Sequence, residues 1–183
     1  MSKIAIARHC RTPWNDQGRI QGQTDIALGP QGELDSARLG RNIRSELGTQ
    51  ITHIVTSDLK RAIETALIVA QALCLSRERV IIDPGLREAR YGELEGLTPA
   101  EVARAHGEYV FYPPVDFRPF GGESGPEIYV RQVTAIAIAQ RRCLDPSALL
   151  IIGHSCALNV MLYNMTGEPF HLKTGEFRLV DLD

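Results

Sequence analysis

Two histidines and two arginines stand at or just beyond short apolar runs in this chain. Arg8-His9 closes the run that begins at Ile4, Ser57-Asp58-Leu59-Lys60-Arg61 follows His53–Thr56, and Gly153-His154 follows Ala148–Ile152. These residue types suit transfer of a phosphoryl group. Arginine offers a planar, permanently charged fork that matches phosphate oxygens, so Arg8 and Arg61 can hold the charge on the transferred group. A neutral imidazole is a competent nucleophile, and flanking cations keep it neutral by disfavouring imidazolium. A second histidine can donate a hydrogen bond to the oxygens. A carboxyl group must then protonate the leaving alcohol and later deprotonate water. Glu88 is the candidate, with Glu93, Glu95 and Glu123 as the other carboxylates near it in sequence or motif.

The flanking pattern says what must position these residues. Ile4–Arg8, His53–Thr56, Val80–Ile82, Ala148–Ile152 and Phe177–Leu182 read as strands. Gln31–Leu47 carries Leu39, Ile43 and Leu47 at helical spacing, and Leu59 to Ala70 forms a second apolar helical face for which Ser57 or Asp58 can supply the cap. Thr98-Pro99-Ala100-Glu101 opens a helix that Gly107 stops. Ser124-Gly125-Pro126-Glu127 opens a longer one reaching about Arg142, and a last helix runs from about Ser155 to Met165. Strands alternating with helices predict a three-layer αβα sandwich with a mostly parallel central sheet. Ligands of such sheets bind beyond the carboxyl ends of the strands, so residues distant in sequence are expected to meet at one rim.

The chain has 183 residues, 44% hydrophobic and 23% charged, with a formal charge of −2. That length fits one domain over residues 1–183, with a substrate-rim insertion at about 98–123. The balance gives no broad basic field for nucleic acid or a membrane surface. No apolar run approaches the roughly 20 residues of a membrane span, and the start lacks a signal-peptide profile. Cys10, Cys74, Cys143 and Cys156 have neither metal-site nor CxxC spacing, so they read as thiols of a cytoplasmic protein. The expected partner is a small phosphorylated metabolite, and oligomeric state stays open, a homodimer included.

Arg8-His9-Cys10-Arg11-Thr12-Pro13-Trp14-Asn15 resembles the Arg-His-Gly-x-Thr-x-x-Asn signature of the histidine phosphatase superfamily, the phosphoglycerate mutase-like proteins. Further segments in order are similar to that family. They are Gly18-Arg19-Ile20-Gln21-Gly22, Asp25 to Leu28 with Gly32, Ser57 to Ala66, Leu86 to Gly96, Gly121 to Ser124, and Gly153-His154. Taken singly, either histidine reads as a structural one; the ordered set reverses that. The resemblance implies His9 as the phosphorylated residue, a phosphate pocket of Arg8, Arg61 and His154, Asn15 as a further donor, and Glu88 as proton donor. It implies no metal and no organic cofactor. Gln21, Gly22, Arg90, Tyr109, Tyr112, Glu123 and Ser155 are the expected substrate rim. Two departures stand out: Cys10 replaces the glycine after the nucleophile, and Ser155-Cys156 replace glycines common after the second histidine. A side chain at position 10 is expected to crowd the phosphate or require an altered backbone angle. Both cysteines flank these histidines, which suggests proximity and redox sensitivity.

Competing chemistries fit less well. A cysteine phosphatase needs arginine six positions after cysteine, where this chain has Asp16, Val80, Leu149 and Leu162. No GxxxxGK[ST] occurs. Gly153-His154-Ser155-Cys156-Ala157 resembles the nucleophile elbow of serine esterases, but Ala157 stands where glycine belongs and only His171 follows as a base. Within the family, the short chain and the Arg19–Gln23 segment look more like phosphatase branches than mutases. A non-catalytic phosphate-binding homologue is the other reading.

Overall fold

The computed structural model describes residues 3–107, 121–143, 145 and 148–181. A five-stranded sheet of order β3-β2-β4-β1-β5 organises them, with β1 Lys3–Arg8, β2 His53–Thr56, β3 Val80–Ile82, β4 Leu149–Gly153 and β5 Phe177–Asp181. All neighbours are parallel except β5, which runs antiparallel beside β1. Helices α2 Pro30–Leu47 and α3 Lys60–Ala72 cover one face; α5 Gly125–Gln140 and α6 Ser155–Thr166 cover the other. The three-layer αβα expectation holds.

Strand alternation explains why both faces need cover. Ile4, Ile6, Leu149 and Ile151 enter the core beneath α5 and α6, whereas Ala5, Ala7, Leu150 and Ile152 face α2 and α3. Leu149 to Ile152 are fully buried, each side chain stabilising the fold by roughly 1.5–3 kcal/mol. The small Ala5 and Ala7 let α2 and α3 lie close, and a Cβ on Gly40 would come within 2.6 Å of Ala72 Cβ.

The capping chemistry appears where the sequence places it. Thr98 and Glu101 form a capping box at the start of α4 (Pro99–His106), and Gly107 ends it at φ 80°. Ser124 and Glu127 do the same for α5. A short helix, α1 Pro13–Asp16, is opened by a Thr12–Asn15 capping box. The cap of α3 is Leu59, not Ser57 or Asp58, and the exposed N–H of Lys60 donates across space to Asp25 Oδ1 at 2.8 Å. Tyr109, Tyr112 and half of the expected rim insertion lie outside the described residues. No helix among the described residues is long and apolar enough to cross a membrane.

Candidate active site

The parallel register delivers the residues after β1, β2 and β4 to one edge. His9 extends the ladder, its N–H donating to Gly153 O at 3.0 Å. Its ring Nδ1 lies 2.7 Å from Cys10 O. A carbonyl only accepts, so Nδ1 carries the hydrogen and Nε2 holds the lone pair. His154 sits ring to ring with His9, centroids 5.0 Å apart and tilted by 52°. Both rings are buried. Burial first, then the charge of Arg61 and, less strongly, of Arg8, holds the pKa of His9 well below 6.5. His154 is lowered in the same way, by burial and then by Arg61.

Arg61, in the first turn of α3, has 0% exposure. It donates from Nη1 to Thr24 O at 2.9 Å and from Nη2 to Gly22 O at 2.7 Å. Among the described residues it makes no ion pair, and its buried Nε has no hydrogen-bond partner. Its hydrogen bonds go only to neutral carbonyls, while the charges of Glu88, Asp25 and Glu95 reach it through space, so the guanidinium has no direct counter-ion among the described residues and can take an anion. The two carbonyls come from a loop pinned by Glu95. Its Oε1 accepts the N–H of Gln23 at 3.1 Å and of Tyr91 at 3.0 Å; its Oε2 accepts Thr24 N–H at 2.9 Å and the Thr24 hydroxyl at 2.6 Å. Position 22 must be glycine, because φ is 52° and a Cβ would collide with the Glu95 carboxylate.

Glu88 closes the site from the opposite side. Its Oε1 accepts from Ala89 N at 2.8 Å and Ala157 N at 2.9 Å, and its Oε2 from Cys156 N at 3.2 Å. The last two donors belong to the first turn of α6, whose dipole favours negative charge there. Arg131 braces this segment by donating to the carbonyls of Gly85, Arg87 and Glu88. Arg87 adds a two-pronged bond to Asp58, next to Ser57.

A cavity of about 170 Å³ lies between these groups, lined by Arg8, His9, Asn15, Gln21, Gly22, Arg61, Glu88 and Ser155 of the expected residues. That is smaller than the roughly 300–1,000 Å³ of pockets for drug-sized ligands, and suits a tetrahedral anion with a small leaving group. Asn15 keeps its carboxamide oxygen on the Thr12 amide and hydroxyl, so its NH₂ is the end it can offer an anion. Arg19, Ile20, Tyr91 and Cys156 join the lining without having been expected as rim residues. Arg19 and Tyr91 fall inside the quoted motifs, so motif membership was the available signal.

Two expected rim residues are elsewhere. Glu123 pairs with Arg131 at 2.9 Å and accepts from Arg90 N and Gln23 Nε2, so its carboxylate is a brace instead of a cavity wall. Arg90 is exposed and meets Glu123 through its backbone. Nor does Cys10 crowd the anion site. Its backbone lacks a positive φ, its N–H donates to Thr65 Oγ1 at 3.0 Å, and its side chain packs in the core beneath α2 and α3. Cys156 belongs to a separate cluster with Ala89 and Ile128. Burial pushes the Cys156 thiol up to about 12 and raises that of Cys10, so neither supplies the thiolate that oxidation needs. The expected proximity and redox sensitivity of these cysteines do not follow.

A family model described as the histidine phosphatase superfamily (branch 1) matches residues 4–176. A probable phosphoglycerate mutase, GpmB, of Erwinia tasmaniensis is 35% identical over 176 residues, spanning 92% of this chain and 77% of that protein. Phosphoglycerate mutase-like protein 4 of Arabidopsis thaliana is 37% identical over 140 residues, 74% of this chain and 59% of its own. Among solved structures, a mycobacterial glucosyl-3-phosphoglycerate phosphatase superposes with a TM-score of 0.85 at 21% identity, covering 99% of this chain and 91% of that one. At that identity the likeness is one of fold. Bacillus stearothermophilus YhfR aligns with a TM-score of 0.82 and 25% identity over 100% of this chain and 92% of its own.

Proposed function

The chain belongs to branch 1 of the histidine phosphatase superfamily, and from that premise we propose that it hydrolyses the phosphomonoester of a small metabolite through a phosphohistidine on His9. The observation that carries this reading is the Nδ1–H bond of His9 to its own chain. It leaves the Nε2 lone pair free between Arg8, Arg61 and Glu88 in a site that also holds His154. Nε2 attacks phosphorus in line, and the P–O bond to the alcohol breaks. Arg8, Arg61, His154 and the Asn15 amide hold the non-bridging oxygens. Glu88, in its acid form, gives a proton to the departing oxygen from Oε2, the oxygen carrying only the longer Cys156 bond. As carboxylate it then takes a proton from water, which cleaves the P–N bond and restores neutral His9.

Gln21, Gly22 and Ser155 contribute the substrate rim in this reading. The reaction needs no metal, and free Cys10, Cys74, Cys143 and Cys156 suit a reducing compartment such as the cytoplasm. Mutase-type transfer is the second reading, favoured by the names of the curated relatives. Incubating the protein with radiolabelled phosphomonoesters, with and without chelator, tests both. Free phosphate and an acid-labile label on the protein, absent in His9→Ala, are expected. Label retained on an isomeric ester would decide for a mutase, and binding without turnover would sink both.

A further inference from the structure

Ser57 stands directly beyond β2, and His154 directly beyond β4, its parallel neighbour, where Thr56 pairs with Ile152. Both residues have 0% exposure. Ser57 Oγ lies 2.8 Å from His154 Nε2, and Leu59 N–H points at the same oxygen from 3.4 Å. The other ring nitrogen, Nδ1, is buried and has no hydrogen-bond partner among the described residues.

These contacts decide between the two neutral forms of the ring. If Nε2 carried the hydrogen, it would donate to Ser57 Oγ, which already receives Leu59 N–H. The serine hydroxyl hydrogen would then have no acceptor among the described residues, a costly state for a buried donor. If Ser57 donates to Nε2, both of its contacts are satisfied and the ring hydrogen sits on Nδ1; this form leaves only Nδ1–H without a partner among the described residues, whereas the other leaves both the serine hydroxyl hydrogen and the Nδ1 lone pair unpaired. We infer that Ser57 is a positioning residue: its hydroxyl fixes His154 as the Nδ1–H tautomer and so makes that ring a hydrogen-bond donor to the anion bound beside His9. The inference rests on the phosphate-binding part of the proposed function, not on turnover. It also explains why a histidine lowered by burial and by cations still binds an anion, since a neutral ring can donate only from the nitrogen its neighbour leaves protonated.

Long-range ¹H–¹⁵N correlation spectra of the ¹⁵N-labelled protein distinguish the tautomers directly. His154 is expected to show a protonated Nδ1 and an unprotonated Nε2, with Nδ1–H shifting on titration with inorganic phosphate. In Ser57→Ala the ring should become a mixture of tautomers, and phosphate should bind about tenfold more weakly, about 1.4 kcal/mol. Ser57→Thr, which keeps the hydroxyl, should restore both readouts. A protonated Nε2 in the unmodified protein would overturn the inference, even if Ser57→Ala failed to fold. So would a Ser57→Ala protein whose phosphate affinity equals that of the unmodified chain. Phosphate binding with the expected tautomer but no hydrolysis of any ester would sink the hydrolase reading while leaving this one standing.

Discussion

Replacing Glu88 by glutamine separates the two proton transfers assigned to this residue. A glutamine keeps one acceptor oxygen, and the paired donors Ala89 N–H and Ala157 N–H will claim it. Its NH₂ then faces Cys156 N–H, where Oε2 accepted a bond at 3.2 Å. Setting donor against donor costs about 1–3 kcal/mol. At this chain length each kcal/mol lowers the melting midpoint by roughly 2–4 °C, so the variant stays folded and can be assayed. The chemical loss should be about 10²–10⁴-fold, or about 2.7–5.4 kcal/mol, but only in a step that moves a proton. With an alkyl phosphate that step is the first, so labelling of His9 slows. With p-nitrophenyl phosphate the phenolate departs without a proton, so labelling persists and the water step slows instead. Rapid-quench assays should show a burst of nitrophenol near one equivalent, then slow turnover, while the alkyl ester gives no burst. Equal losses of the first step on both esters would refute Glu88 as the proton donor.

Arg61→Ala should lower kcat by roughly 10²–10³-fold, judged by phosphate release, because it removes the buried fork facing the anion; full activity would refute that pocket. Inorganic phosphate at a hundred times its Kd should stabilise the unmodified protein by about 2.7 kcal/mol in thermal unfolding, and Arg61→Ala hardly at all. Both active-site imidazoles are held below the ordinary value, so turnover should persist as pH drops through about 6.5 and fail only below it. Stability has the same sign. Below about 6.5 the unfolded chain binds protons that the folded rings still refuse, so each ring removes at most about 1.36 kcal/mol per pH unit until it too protonates. Denaturant titrations at stepped pH check this. Mild peroxide should leave activity intact with or without reductant, since Cys10 and Cys156 are buried thiols with raised pKa values.

Elements, their order and the layer architecture were legible because they depend on local chemistry. Leu39, Ile43 and Leu47 share a helical face, Thr98 and Glu101 cap α4 within one turn, and the run at Leu149–Ile152 can only be a strand buried on both sides. The order of the motifs likewise placed His9, Arg61 and His154 in one family's site. Hydrogen bonds between distant segments were not legible, because periodicity carries no information about partners. Ser57 and His154 are 97 residues apart in sequence, and Arg61 and Gly22 are 39 apart. Tertiary structure therefore decided which nitrogen of His9 keeps its lone pair, that Glu123 braces Arg131, and that Cys10 turns into the core. It also assigned Glu95 to hold the loop that holds Arg61. A side chain's chemistry is written in its residue type; the direction in which that chemistry points is settled only by what packs against it.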